Sequence, residues 1–183
     1  MIKTPLRRIL TPVLFLALAA AAANAADFTF FVGGVKPGNL SISGIRQSLD
    51  SSPVLGGRLS YNFVPFFGME HTLAFSPDYL FPKNSAAVTE AKGFVYSANL
   101  IVNVPAGRLV PYATAGVGLI RQYGSGEQPV GTKFAFNYGG GLKMPRLAGP
   151  LGLRFDARGY TATGIFSTSL NILEVSGGLL ISF

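Results

Sequence analysis

The chain has 183 residues, of which 49% are hydrophobic and only 13% charged, with a formal net charge of +7 at neutral pH. It has no cysteine and one histidine, which excludes a disulfide scaffold and argues against a zinc or other transition-metal site. The basic residues are scattered singly, so the positive charge does not point to nucleic acid.

The chain opens like a secretory signal peptide. Lys3, Arg7 and Arg8 form a basic start, residues 12–23 are apolar, and Ala23-Asn24-Ala25 places small residues at a cleavage position. Residues 1–25 are therefore expected to be removed, which leaves residues 26–183 as one domain. This leader holds three of the fifteen basic residues and none of the eight acidic ones, so the remaining chain is only mildly basic. Beyond it, no stretch approaches the roughly 20 apolar residues that a membrane helix needs.

Eight strand-like segments follow, at 27–35, 53–63, 67–77, 92–104, 110–121, 132–144, 151–161 and 170–183. Most have the length of about 9–11 residues that a tilted strand needs to cross hydrocarbon. They are rich in Val, Phe, Tyr, Leu and Gly. The connections alternate in length. Those at 36–52, 78–91 and 122–131 are long, whereas 64–66, 105–109 and 145–150 are short, and 162–169 is intermediate. Transmembrane barrels have this arrangement, with short turns on the periplasmic side and longer loops outside. An even strand count then brings both ends of the domain to the periplasmic side.

Within the segments, side chains alternate. Leu55, Leu59, Tyr61 and Phe63 share one parity, and Arg58, Ser60 and Asn62 the other. Phe94, Tyr96, Leu100, Val102 and Val104 oppose Ser97, Asn99 and Asn103. Leu153, Phe155 and Ala157 oppose Arg154, Asp156 and Arg158. In the last segment Leu173, Val175, Leu179, Ile181 and Phe183 oppose Glu174, Ser176, Gly178 and Ser182. Phe31, Ile101 and Leu180 break the rule and are expected to point into the lumen. Glycines recur inside most of the strands, as a narrow, strongly curved barrel requires.

The leader, the eight segments, VPYATAGVGL at 110–119, FNYGGGLKM at 136–144 and the terminal LLISF together resemble the small outer-membrane β-barrel family, the eight-stranded relatives of the OmpA and OmpX transmembrane domains. The resemblance implies an all-β, eight-stranded antiparallel up-and-down barrel in the outer membrane, in contact with outer-membrane lipid and lipopolysaccharide. It also implies that Leu179, Ile181 and Phe183 form the assembly signal read by the barrel-assembly machinery. No cofactor, metal or catalytic residue follows from it. Trp is absent, so Phe63, Phe66, Phe67, Tyr79, Phe81, Tyr112, Tyr123 and Tyr160 are expected to form the interfacial aromatic girdles.

The chemistry-bearing constellation is a set of interior charges, Arg58, Arg154 and Arg158 against Glu70, Asp156 and Glu174. In an eight-stranded barrel the interior is filled by side chains, so these charges are expected to pair across it as a plug. Arg158 and Glu174 are expected at neighbouring heights. His71 follows Glu70, but adjacent strand residues face opposite sides, so the pair cannot act together, and His71 is read as an interfacial residue without a catalytic role. The loops at 36–52 and 78–91, with Ile45, Leu49, Tyr79 and Phe81, could contact a surface ligand whose nature the sequence does not give.

The expected role is structural or interactive, in a monomeric, non-catalytic barrel that supports envelope integrity or anchors surface loops. A narrow low-conductance pore is the first alternative, a lipid A-modifying enzyme the second, and a soluble lipocalin-like barrel with inverted faces the third.

Overall fold

A computed structural model of the chain describes residues 26–38, 40–42, 45–47, 50–79, 91–124, 131–165 and 168–183. The expected signal peptide lies outside these residues, as do Leu49 and Phe81. The strands are β1 (Ala26–Pro37), β2 (Leu40–Ile42), β3 (Ile45–Gln47), β4 (Ser52–Val64), β5 (Phe67–Ser76), β6 (Lys92–Asn103), β7 (Val110–Tyr123), β8 (Thr132–Ala148), β9 (Leu151–Ile165) and β10 (Thr168–Ser182).

Eight of them close into one barrel in the order β1-β10-β9-β8-β7-β6-β5-β4, each antiparallel to its neighbours. Closure comes from β1, which pairs with β10 on one side and β4 on the other, for example Phe30 with Leu179 and with Gly57. No strand edge of the barrel is left unpaired, so the ladders pair the backbone of the wall strand to strand rather than with water. The Phe183 amide donates to the Ala26 carbonyl at 2.9 Å, which ties the two ends of the domain together beside the short turns.

Two differences from the sequence reading concern the connections. The first long connection carries a small antiparallel hairpin, β2 with β3. Strands of three residues are too short to show a periodicity in sequence. The 145–150 connection is shorter than expected, because β8 runs on to Ala148 past an irregularity after Met144, with Arg146 at a φ of 54°. Likewise β9 reaches Ile165 and β10 begins at Thr168.

The two faces are unambiguous. Phe30, Leu100 and Val175 are 53%, 62% and 57% exposed on the outer wall, while Arg58 and Arg154 inside are 0% exposed. A water-soluble barrel has the reverse arrangement, so the lipocalin-like alternative is overturned. An apolar exterior over a polar interior is the pattern of a barrel whose solvent is lipid. Phe31, Ile101 and Leu180 are buried in the lumen.

Candidate functional site

The lumen is filled in layers. Toward the long-connection end lies an apolar cluster that includes Val35, Val54, Val95, Ile120, Leu170 and Ile172. Tyr79, in the turn after β5, belongs to this cluster and covers it. The Gln122 side-chain amide donates to the Tyr79 carbonyl at 3.1 Å and pins it there. Gly93 makes this possible, because a Cβ at that position would lie 2.1 Å from the Tyr79 ring.

The charged layer lies deeper, and all six expected residues are buried in it. Asp156 on β9 is the hub, because it contacts all three arginines. Arg154 reaches it at 3.0 Å, Arg158 at 2.9 Å and Arg58 at 3.3 Å. Glu70 on β5 bridges Arg154 at 2.6 Å and Arg158 at 2.5 Å, and accepts a hydrogen bond from the Ser60 hydroxyl at 2.9 Å. Glu174 on β10 binds Arg58 and accepts from the hydroxyls of Tyr160 and Ser176, each at 2.9 Å. Buried charges are tolerated when paired and hydrogen-bonded in this way, and are costly when one partner is removed.

Arg58 also stacks its guanidinium 3.6 Å from the Phe31 ring centre. This contact explains why a phenylalanine occupies a lumen position. It gives the planar cation a π face in place of water.

Three residues expected in the aromatic girdles are inside instead. Tyr79, Tyr112 and Tyr160 are buried, whereas Phe63, Phe66, Phe67 and Tyr123 are exposed on the outside. The Tyr112 hydroxyl donates to Asp156 and accepts from Arg154 at 2.9 Å and 3.1 Å. Gly141 leaves the room for this ring, since a Cβ there would meet the Tyr112 oxygen at 2.6 Å. Parity already carried the signal. Tyr160 shares the parity of Arg154, Asp156 and Arg158, and an aromatic near a strand end is not thereby outside.

Nearer the short turns, Lys143 pairs with Asp27 at 3.3 Å, and the Asn103 amide donates to Asn62 at 3.0 Å. Between the layers, Asn99 donates to Thr114 at 3.1 Å and to Asn137.

His71 faces outward, opposite the buried Glu70, but it lies mid-wall on β5 rather than at an interface. Its Nδ1 is 3.0 Å from the Tyr96 hydroxyl, and its ring stacks between Tyr61 and Tyr96 at centroid distances of 6.3 Å and 6.1 Å. Among the described residues no serine or carboxylate is hydrogen-bonded to it. Leu179 and Phe183 are exposed on the outer wall, with Ile181 half-buried between them.

A closed eight-stranded barrel with an apolar wall and an ion-paired lumen defines a transmembrane β-barrel of the outer-membrane type. The chain belongs to the outer membrane protein beta-barrel domain family, whose model matches residues 10–176, and it is accordingly an outer-membrane protein. No curated protein matches it by sequence. Neisserial surface protein A is similar in structure, with a TM-score of 0.66 at 15% identity over 87% of this chain and 99% of that one. The outer membrane protein OprG from Pseudomonas aeruginosa has a TM-score of 0.61 at 12% identity, over 88% and 97% of the two chains. The outer membrane enzyme PagL has a TM-score of 0.52 at 16% identity, over 85% and 98%. At these identities the likeness shows the fold alone, and one fold carries surface proteins and an enzyme alike.

Proposed function

We propose that this protein is a non-conducting, non-catalytic barrel that contributes to envelope integrity and holds its long connections at the cell surface. The observation that carries this reading is the cross-lumen network around Asp156. Its members come from β4, β5, β7, β9 and β10, so it ties distant staves of the wall together and fills the section through which ions would pass. The apolar cluster under Tyr79 adds a second barrier, because an ion entering it would lose its water without gaining a partner.

Single-channel recording tests the reading. Protein reconstituted in planar bilayers is expected to give no steady conductance, and a stable open level would mean that a narrow pore is present instead.

A lipid-modifying activity lacks its chemistry at His71, which has tyrosines rather than a nucleophile and an acid as partners. His71→Ala is expected to leave the lipid A of expressing cells unchanged by mass spectrometry.

The closed barrel supports a monomer, since no strand edge of the barrel wall is free for a second copy. The outward Leu179 and Phe183, with Ile181 between them, support docking of the last strand on the barrel-assembly machinery before closure.

A further inference from the structure

His71 is a polar side chain set into an apolar wall. It is the fifth of the ten residues of β5, midway between the two rims, and it is half-buried on the outward face. At that depth the surroundings are hydrocarbon, where an unsatisfied polar group is costly and an ionisable side chain marks a site. The ring is fixed in place by Tyr61 and Tyr96, each stacked with it at an interplanar angle of 20°. The Tyr96 hydroxyl lies 3.0 Å from Nδ1 and has no other acceptor among the described residues. It therefore donates to Nδ1, and the ring hydrogen sits on Nε2. Among the described residues Nε2 has no partner, which leaves a fixed donor facing out of an apolar wall.

Beside His71 the wall is hollowed into a groove of about 400 Å³, lined also by Phe28, Gly57, Leu59, Leu73 and Tyr96. The register explains its shape. Phe28, Leu59 and His71 form one row across β1, β4 and β5. Gly57, Leu73 and Tyr96 form the next row across β4, β5 and β6. Gly57 has no side chain to stand in that second row, so the Phe28 ring lies over it, 3.3 Å from where a Cβ would be. The groove thus has an aromatic wall at each end, Phe28 on β1 and Tyr96 on β6, with Leu59 and Leu73 between them. No charged side chain lines it among the described residues. Its volume falls within the roughly 300–1,000 Å³ of ordinary ligand clefts, which pair an apolar lining with a few fixed polar groups.

We propose that this groove binds an aromatic ketone or quinone dissolved in the bilayer. The flat ring lies over Leu59 and Leu73, between Phe28 and Tyr96, and its carbonyl oxygen accepts from His71 Nε2. The donor selects the occupant. An acyl chain fills the groove but brings no acceptor, so Nε2 stays unpaired. A lipid headgroup has acceptors but is held at the membrane surface, away from the middle of the wall. A carbonyl on an aromatic body brings the acceptor to this depth and packs against both aromatic walls. The groove is separate from the lumen network and does not depend on whether the barrel conducts.

Benzophenone, an aromatic ketone that inserts into neighbouring C–H bonds when irradiated, tests this with the full-length protein in phospholipid nanodiscs. Peptide mass spectrometry is expected to place the adducts on β4 and β5, around Leu59 and Leu73. Menadione, a naphthoquinone, is expected to suppress them. Methylnaphthalene, which has the same ring system without the carbonyls, is expected not to. His71→Phe keeps an aromatic ring between the two tyrosines but has no donor at Nε2. It is expected to lower the labelling of these strands about fivefold, the effect of losing one hydrogen bond. Heat-modifiable gel migration confirms that the variant still folds. Tyr138→Phe, on another part of the outer wall, is expected to label as wild type does. Labelling spread evenly around the wall, equal labelling of His71→Phe and wild type, equal suppression by methylnaphthalene, or an equal loss in Tyr138→Phe would each overturn the proposal.

Discussion

Arg158 and Glu174 are direct register partners on β9 and β10, yet each spends its charge elsewhere. Arg158 crosses the lumen to Glu70 on β5 at 2.5 Å, and Glu174 binds Arg58 on β4. Adjacent staves are already joined by backbone hydrogen bonds, so an ion pair between them would add little. The same charges turned across the barrel connect parts of the wall that no ladder joins.

The hub makes the sharpest stability prediction. Asp156→Asn keeps the shape but leaves three arginines sharing the remaining carboxylates. It is expected to destabilise the barrel by about 3–5 kcal/mol, the cost of breaking a buried ion pair. Urea unfolding in detergent, followed by tryptophan-free far-UV circular dichroism, measures it.

Tyr112 is predicted to behave as part of the network. Tyr112→Phe removes a donor to Asp156 and an acceptor for Arg154, for an expected loss of about 1–3 kcal/mol. Tyr138→Phe, on the outer wall, is expected to change stability by less than about 0.5 kcal/mol. Equal effects in the same unfolding assay would mean that Tyr112 is not a network member.

Gly93 is predicted to be intolerant of any side chain. Gly93→Val would drive a branched group into the Tyr79 ring and is expected to cost about 1–3 kcal/mol or to displace the tyrosine. Protease sensitivity of the segment after β5 in folded protein reports the displacement. Burial raises the pKa of the Tyr79 phenol, so this tyrosine is expected to stay protonated in alkali that ionises exposed tyrosines. Ultraviolet titration of wild type against Tyr79→Phe checks this.

Much of the architecture was legible because lipid and lumen impose opposite chemistries on alternate residues. Alternation placed eight strands close to their observed bounds and put Arg58, Glu70, Arg154, Asp156, Arg158 and Glu174 on the inner face. It could not choose their partners, because these depend on the tilt of the staves and on which side chains span the lumen. Tyr112 and Tyr160 were misplaced by reading aromatic character ahead of parity. The apolar layer under Tyr79 was invisible for a different reason. Val35, Val54 and Ile120 lie on lumen parity, where a strand near its end can be apolar on both faces.

The central claim is that Arg158 pairs across the lumen with Glu70 on β5 rather than with its register partner Glu174 on the adjacent strand. Double-mutant cycles in the detergent unfolding assay test it directly, with Arg158→Met combined once with Glu70→Gln and once with Glu174→Gln. The structure predicts a coupling above about 1.5 kcal/mol for Arg158 with Glu70, and below about 0.5 kcal/mol for Arg158 with Glu174. The opposite order would place the pairs between neighbouring strands and contradict the cross-lumen network.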